Sequence, residues 1–153
     1  MDELDKKIVY LLVGNGRTSN NEIARVLSVS EGTVRHRVRR MIDNNELKIA
    51  GLMAPEAVVD KELVLLGVKV AMSKDLSAIA ARISQLPEVQ ASYITTGRYD
   101  IIVEALLTVK YGPIDFLCGP LSGIDGIVST ETFMVMKSFN KWIIPQLEPE
   151  DSQ

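Results

Sequence analysis

Four arginines and the single histidine of the chain lie between positions 31 and 41, in the segment EGTVRHRVRRM. In an α-helix successive residues are rotated by about 100°, which would place the apolar side chains of this region on one face. These side chains are Val34, Val38, Met41 and Ile42. The opposite face carries Gly32, Arg35, His36 and Arg39, with Arg40 nearer its flank and Arg37 beside the apolar face. Such a helix fits the major groove of duplex DNA, where arginine pairs with guanine edges or phosphates.

The start of the same helix is suited to a phosphate group. Ser30 is a favourable N-cap residue, and the first helical turn presents unpaired amides at the positive end of the helix dipole. Gly32 would let the backbone approach the phosphate chain closely. We therefore predict DNA contacts from eight residues, which are Ser30, Gly32, Thr33, Arg35, His36, Arg37, Arg39 and Arg40.

The usual fate of a charged helix face is simple solvation, and the distribution of charge argues against that interpretation here. Residues 1–50 carry nine Lys or Arg and seven Asp or Glu, a net charge of +2, whereas the rest of the chain has a net charge of -5. A basic N-terminal part on an acidic body is typical of a protein that meets nucleic acid with the first part only. Two of the predicted DNA contacts have an alternative interpretation. Arg37 would be a structural ion-pair partner, and His36 would be a residue merely tolerated on the surface.

Two further helices are predicted before this segment, and they would position it. Apolar residues recur at helical spacing over residues 4–14, and Ser19 and Glu22 have the spacing of a capping box at the start of a second helix. Residues 28–30 form a tight connection to the third helix, and Leu47–Met53 are predicted to form a short strand. We predict a helix-turn-helix domain over residues 1–50 and a hinge over residues 51–62.

Residues 63–153 are predicted to form a second domain, so the fold class is α+β. Strands are predicted over 63–72, 89–96, 101–108 and 127–137, with another possible at 141–144, and helices over 75–86 and 111–122, the latter interrupted at Gly119-Pro120. The order β-α-β-β-α-β is that of a ferredoxin-like split unit, an antiparallel sheet with both helices on one face. The other face is predicted to be uncovered, and apolar sheet surface of that area normally finds a partner.

Four motifs of this chain occur in the order and at the spacing of one known family. They are Leu4–Leu12, Glu22–Ser30, Val34–Met41 and Thr96–Val103. On these the chain resembles the Lrp/AsnC (feast/famine) family of prokaryotic transcriptional regulators over nearly its whole length. The resemblance implies a winged or helix-turn-helix DNA-binding domain followed by an effector-binding and oligomerisation domain. It also implies dimers formed by face-to-face packing of sheets, which often assemble into octamers, and allosteric control by an amino acid or related small molecule.

The resemblance places the effector near the turn between the second and third strands of the C-terminal domain, which here is Gly97-Arg98-Tyr99-Asp100. A glycine lets the chain turn closely around a ligand, and the Asp100 carboxylate suits an α-ammonium group. The alternative for this turn is a hairpin with a solvated aspartate. Thr130 and Thr132 share a face of the last strand and, like Glu104, could line a pocket or a subunit contact. The predicted effector contacts are Thr96, Gly97, Arg98, Tyr99, Asp100, Thr130 and Thr132.

The sequence departs from the family pattern at three places, which are Asn44-Asn45-Glu46, the hinge segment Met53–Glu56 and the Gly119-Pro120 break in the second helix of the C-terminal domain. Asn44-Asn45 stands where relatives usually have a glycine closing the third helix, although asparagine can adopt the left-handed conformation needed there. The hinge segment Met53–Glu56 lacks the aromatic residue usual in relatives.

An enzyme and an adaptor are the alternatives to a regulator. A branch with the same architecture decarboxylates sirohaem, which would call for histidine and arginine around a tetrapyrrole. Residues 51–153 contain no histidine and only two arginines, Arg82 and Arg98. We therefore predict no catalytic residue, no metal and no cofactor. An effector-binding adaptor with a vestigial N-terminal domain is opposed by the basic face of the third helix.

The remaining composition predicts a cytoplasmic protein. The one cysteine, Cys118, excludes an internal disulfide framework and fits a reducing compartment. The acidic N-terminus precedes no signal-peptide core, and the longest apolar stretch, Leu63–Met72, is too short to span a bilayer. The predicted partners are therefore double-stranded DNA, a small-molecule effector and further copies of the chain, without a membrane.

Overall fold

The computed structural model describes residues 1–72 and 74–145 and divides the chain after Ala50 into two compact units. We call residues 1–50 the head and the residues from Gly51 onward the sheet unit. The end of the predicted effector-binding domain, residues 146–153, lies outside the described residues.

The head contains three α-helices, each started by a side chain that accepts a backbone N–H. They are α1 (Glu3–Gly14), α2 (Asn20–Leu27) and α3 (Glu31–Asp43). Ser19 accepts from the amide of Glu22, the half of the predicted capping box that forms. Ser28 adopts the left-handed conformation with a φ of 54°, so α2 gives way to α3 within three residues. The predicted helix-turn-helix is thereby confirmed.

One apolar cluster holds the three helices together. Its fully buried members include Ile8 of α1, Ile23 of α2 and both Val34 and Met41 of α3. The prediction that Ile42 also faces inward is wrong, since 43% of it is exposed one residue before the end of α3. The chain leaves α3 through Asn45, whose positive φ of 56° matches the left-handed conformation expected there.

The sheet unit has the predicted β-α-β-β-α-β order. Its elements are β1 (Lys61–Val70), α4 (Leu76–Ser84), β2 (Val89–Ile94), β3 (Ile101–Thr108), α5 (Gly112–Cys118) and β4 (Ile127–Met134). The strands form one antiparallel sheet in the order β2-β3-β1-β4. The second helix ends at Cys118, because Gly119 and Pro120 interrupt it as predicted.

Both helices pack on the same face of the sheet, where the main core of this unit lies. Alternate residues of β1, Val64, Leu66 and Val68, are buried there against Ile83 of α4 and Phe116 of α5. The period of two along β1 puts Leu63, Leu65 and Gly67 on the opposite face. We call that opposite side of the sheet the open face.

The open face is only partly uncovered, in contrast to the prediction. At one end Ile143 is buried against Leu63 and Leu106 in a small separate cluster. At the other end the ring of Tyr99 lies on Gly67. Elsewhere on the open face Tyr93 is 49% exposed and Phe133 is 42% exposed.

The connection between the predicted domains differs from the expected strand and hinge. Residues 47–52 form no strand, and Met53 alone makes an isolated bridge with Ile143. Pro55–Ala57 form a short 3₁₀ turn, and β1 begins at Lys61, inside the predicted hinge. The predicted strand at 141–144 is reduced to the same bridge, because Met53 is its single partner there. Among the described residues, no helix has the length and apolar content needed to cross a bilayer.

Candidate nucleic-acid interface and effector turn

The face of α3 opposite the apolar cluster is open to solvent. Side-chain exposure reaches 67% for Arg35 and 84% for Arg39, and His36 and Gly32 are also exposed. Arg35 and Arg39 are four residues apart, so their guanidinium groups project from the same side of the helix. The inward packing of Val34 and Met41 fixes this orientation.

The ion pairs of these two arginines are local and weak. Arg35 Nη1 lies 3.1 Å from Glu31, and Arg39 Nε lies 3.9 Å from Asp43, each pair spanning one turn of the helix. Exposed pairs of this kind contribute at most about 1 kcal/mol and are screened by salt. Both guanidinium groups are therefore free to exchange their carboxylate for a phosphate.

Gly32 is not required by the packing of the head. A Cβ atom built on it would meet only Ser30 Oγ at 3.9 Å and Arg35 Nη2 at 4.0 Å, which are ordinary contacts. A glycine in the first turn of a helix lowers its stability, so the folded head offers no reason for having one here. The backbone at this position is bare on its exposed side.

The predicted hydroxyl contacts Ser30 and Thr33 are used within the helix cap. Ser30 Oγ accepts from the Thr33 backbone N–H at 3.1 Å and lies 2.8 Å from the Thr33 hydroxyl. Ser30 is exposed and Thr33 is partly exposed, so the cap itself lies on the surface. Its geometry fixes the first turn of α3 and directs the remaining amides outward.

Arg37 and Arg40, which were also predicted to contact DNA, are tied to α1. Arg37 Nη1 donates to Asp5 Oδ1 at 2.9 Å and to Asp2 Oδ2, while Arg40 Nη2 donates to Asp5 Oδ2. Only 23% of the Arg37 side chain and 42% of the Arg40 side chain are exposed. This arrangement favours the structural alternative for Arg37 and assigns the same role to Arg40.

The residue that organises this network is Asp5, whose side chain is completely buried. The backbone N–H of Asp2 donates to Asp5, and the amide of Asp5 donates back to Asp2, which forms a capping box. That backbone donor, with the guanidinium groups of Arg37 and Arg40, outweighs burial and lowers the pKa of Asp5 to about 2. The carboxylate is ionised at neutral pH and holds α3 against α1.

Sequence reasoning did not assign Asp5 a role, although a signal was present. Asp5 precedes Ile8 by three residues and Leu12 by seven, so it lies on the apolar stripe of α1. A carboxylate in that phase is buried, and a buried carboxylate needs cationic partners. The nearest candidates were the arginines on the flank of α3.

The predicted effector turn is held from within, mainly through Asp100. Its Oδ2 accepts from the Val70 backbone N–H at 2.9 Å, and its Oδ1 lies 3.4 Å from Lys69 Nζ. The Val70 amide and then the Lys69 charge lower the pKa of Asp100 below its usual value. The carboxylate expected to receive an ammonium group is thus already occupied by groups of β1.

Tyr99 is the best-fixed side chain of the turn. Its ring lies where a Cβ on Gly67 would approach it to 2.6 Å, and it packs edge-on against Phe133 at a centroid distance of 6.1 Å. The Tyr99 hydroxyl is buried and has no hydrogen-bond partner in the part of the chain that the structure describes. A buried hydroxyl without a partner is costly, so the packing of the ring on Gly67 and Phe133 has to offset that cost.

The other residues of the turn are exposed. Gly97 has a φ of +116°, a conformation that favours glycine, and Thr96 is exposed beside it. The Arg98 side chain is 79% exposed and lies 3.3 Å from Glu131 and 5.4 Å from the Tyr99 ring centroid. This guanidinium is the most accessible charged group of the turn.

Thr130 and Thr132 are not brought together with this turn. They pair with Val68 and Leu66, so they lie on the helix-bearing face of the sheet, whereas Tyr99 lies on the open face. Thr130 is exposed and Thr132 is partly buried. Within one protomer the two threonines and the turn therefore do not form a single pocket.

Glu104 lies at the centre of the open face and is 7% exposed. Its Oε1 forms an ion pair with Lys141, and the Tyr93 hydroxyl lies 3.5 Å from its Oε2. Lys141 comes from the segment that covers one end of the open face. The Glu104 charge is thus compensated within the unit, which fits a residue on a packing surface.

Comparisons with known proteins agree with this architecture. The AsnC-type helix-turn-helix domain model matches residues 1–42, and the Lrp/AsnC ligand binding domain model matches residues 63–141. An uncharacterised helix-turn-helix transcriptional regulator of Pyrococcus furiosus is 38% identical over 143 residues, covering 93% of this chain and 95% of its own. The sequence likeness therefore extends across both units.

Two solved structures show the same likeness in three dimensions. That of AsnC from Escherichia coli is 30% identical and covers 90% of this chain and 93% of its own, with a TM-score of 0.64. A transcriptional regulator of Neisseria meningitidis, solved as a complex with L-Met, is 25% identical, covers 92% and 93%, and has a TM-score of 0.68. The chain belongs to the Lrp/AsnC family and is an effector-responsive, DNA-binding transcriptional regulator.

Proposed function

We propose that the exposed face of α3 reads the major groove through Arg35, His36 and Arg39, with the backbone at Gly32 against a phosphate. The observation that carries this proposal is the division of the α3 arginines. Arg35 and Arg39 are at least two-thirds exposed and hold only weak local pairs, whereas Arg37 and Arg40 are bound to Asp5. Ser30 and Thr33 shape the first turn, whose free amides meet the phosphate.

The effector is an amino acid, and the turn at residues 96–100 receives it. The N. meningitidis relative solved with L-Met supports an amino acid as the ligand class. Because Asp100 is occupied by Val70 and Lys69, its role in this proposal is to orient the turn. The exposed Arg98 guanidinium binds the ligand carboxylate, since arginine and carboxylate form strong charge-assisted hydrogen bonds.

The functional form is a homodimer that pairs the open faces of two sheets, and dimers assemble further. The apolar area around Tyr93 and Phe133 supports a partner of the same kind. Two heads would then meet half-sites about one helical turn of DNA apart, or a multiple of it. Effector binding changes the assembly and so the spacing of the heads, which is the differential affinity that allostery requires. Neither Thr130 nor Thr132 lies beside the turn of its own protomer, so any contact they make with an effector uses the turn of another protomer.

The protein acts as a regulator in the cytoplasm and not as an enzyme. The relatives compared above are named as regulators, and the sheet unit lacks histidine and has two arginines. The sirohaem-decarboxylase alternative requires a bound tetrapyrrole, and such binding would shift the Soret band when a tetrapyrrole is added to the purified protein. We expect no such shift.

The DNA-binding proposal is tested by the double variant Arg35→Ala/Arg39→Ala. Each lost phosphate contact makes the negative slope of log K against log salt shallower by about 0.9. Each lost base contact costs about 1–3 kcal/mol of binding free energy. We expect affinity for a DNA site selected from random sequence to fall at least about tenfold, with a shallower slope. The control is Arg82→Ala, which removes an arginine from the sheet unit and should leave both quantities unchanged. Unaltered binding by the double variant would refute the proposal.

A further inference from the structure

Glu31 is the single acidic residue in the first turn of α3, and its partner is Arg35. Both of its carboxylate oxygens lie near one guanidinium nitrogen, since Arg35 Nη1 is 3.1 Å from Oε2 and donates to Oε1 at 3.3 Å. The Glu31 side chain is 33% exposed, against 67% for Arg35. The pair is therefore anchored on the more shielded residue, and it occupies only one nitrogen of the guanidinium.

The other two nitrogens of the Arg35 guanidinium remain available. Neither Nε nor Nη2 forms a hydrogen bond with any residue that the structure describes. Nη2 lies 4.0 Å from a Cβ atom built on Gly32, so this edge of the guanidinium is next to the bare backbone of the first turn. Nε and Nη2 together form a planar two-donor edge of the kind that binds O6 and N7 of guanine. Arg35 can therefore hold Glu31 and a guanine at the same time.

Glu31 lies between the buried face of α3 and the exposed face. At about 100° per residue from Val34, Glu31 lies at about 60°, Arg35 at about 100° and Arg39 at about 140°. A carboxylate on the flank of a helix that enters the major groove comes near the DNA phosphates, which repel it. A bound guanidinium compensates that charge, so the repulsion is small only while Arg35 stays on Glu31.

Unrelated DNA and a guanine-containing site differ in what they require of this pair. Where no guanine is within reach, Arg35 has only a phosphate to bind, and taking it leaves the Glu31 carboxylate uncompensated beside the DNA. Where a guanine is within reach, Arg35 binds the base through Nε and Nη2 and keeps Glu31 on Nη1. A group that penalises the wrong partner increases specificity, as does a contact that favours the right one.

We propose that Glu31 is a specificity-determining residue, which positions Arg35 for a guanine and disfavours DNA without one. The inference rests on the contact between Arg35 and DNA proposed above, and Glu31 acts through that arginine. A carboxylate in a first turn also stabilises its helix through the helix dipole. That effect acts on the folding of the head and is the same for every DNA sequence, so the ratio of two affinities separates the two roles.

The test measures the affinity of the full chain for a duplex selected from random sequence and for an unrelated duplex of equal length, at one salt concentration. Glu31→Gln keeps the side-chain shape and removes the charge. We expect it to bind the unrelated duplex about threefold more tightly and the selected duplex about threefold more weakly, so the specificity ratio falls about tenfold. The control is Glu22→Gln, which removes the same charge from the first turn of α2 and should leave the ratio unchanged. Thermal melting reports what each carboxylate contributes to stability.

A second comparison assigns the effect to Arg35. In the background of Arg35→Ala, Glu31→Gln should leave the specificity ratio unchanged, because the side chain that Glu31 positions is absent. An equal fall of the ratio with and without Arg35 would overturn the inference, and so would a ratio that Glu31→Gln leaves unchanged in the wild-type background. In both cases the proposed DNA contact stands if Arg35→Ala lowers affinity for the selected duplex. If Arg35→Ala changes neither affinity nor ratio, that contact fails and the inference fails with it.

Discussion

In both the head and the effector turn, arginine side chains lie near an aspartate. The two aspartates differ in their partners. In the head, Asp5 is fully buried and binds the guanidinium groups of Arg37 and Arg40, which ties those two arginines to α1. At the turn, Asp100 binds a backbone amide and Lys69 and leaves Arg98 exposed. In each region the carboxylate serves the fold, and the arginine left without a strong partner is the group available to a ligand. Residue type alone does not make this distinction, whereas the partners of each group do.

The largest effect should follow removal of the Asp5 carboxylate. Asp5→Ala leaves Arg37 with Asp2 as its remaining carboxylate and Arg40 without its buried partner, and breaking a buried ion pair in this way costs about 3 kcal/mol. Hydrogen exchange of the Ile8 and Leu12 amides in the full chain measures this as loss of protection in the head. Glu3→Ala removes an exposed acid from the same helix and should change protection little. Equal protection in both variants would mean that Asp5 does not hold the head together.

The turn should be most sensitive to Gly67. A Cβ there would overlap the Tyr99 ring at 2.6 Å, so Gly67→Ala should destabilise the sheet unit by about 1–3 kcal/mol, as overpacking typically does. Thermal unfolding measures the loss. Removing the ring as well, in Gly67→Ala/Tyr99→Ala, should cost less than the two single changes added together. Strict additivity would show that the two residues do not contact each other.

Acid should weaken the head through the same aspartate. Because the pKa of Asp5 is lowered from 3.8 to about 2, the unfolded chain takes up a proton before the folded head does. The stabilisation is complete above about pH 4 and is lost as the pH falls towards 2. Hydrogen exchange of α1 and α3 amides at several pH values measures the decline, which should be shallower in Asp5→Asn. The same pH dependence in wild type and variant would assign the effect to other groups.

A smaller effect, with opposite signs for stability and binding, is expected from Gly32→Ala. The fold has space for the new methyl group, and alanine in place of glycine in a helix adds about 0.5–1 kcal/mol of stability. If the backbone at Gly32 lies against a phosphate, the methyl group weakens DNA binding while the melting temperature rises. Gly51→Ala, where nothing lies within 4 Å of the added Cβ, is the control. A stabilised variant with undiminished DNA affinity would remove Gly32 from the interface.

Most of the fold was predictable because hydrophobic periodicity and caps are local signals. Strand β3 was predicted at its observed limits, and the break at Gly119-Pro120 and the left-handed Asn45 were also foreseen. The face of β4 was not predictable from the pattern alone. Apolar residues occur at both phases of this edge strand, as in Ile127 and Val128, so its sequence does not say which side bears Thr130.

The candidate sites were predictable to the level of the helix and the turn, and no further. The helical wheel gave the exposed positions of Arg35 and Arg39 correctly, because burial of Val34 and Met41 fixes the rotation of α3. The partners of Arg37, Arg40 and Asp100 come from other elements, with sequence separations of about thirty residues. Such pairs depend on how the elements pack, which local spacing does not specify.

The salt dependence of DNA binding, compared between Arg39→Ala and Arg40→Ala, tests most directly which arginines of α3 face the DNA. The two residues are neighbours of the same charge, and they differ in that Arg40 donates to the buried Asp5. We predict that Arg39→Ala makes the negative slope of log K against log salt shallower by about 0.9, whereas Arg40→Ala leaves that slope unchanged in the folded protein. A shallower slope for Arg40→Ala with no change for Arg39→Ala would contradict the account.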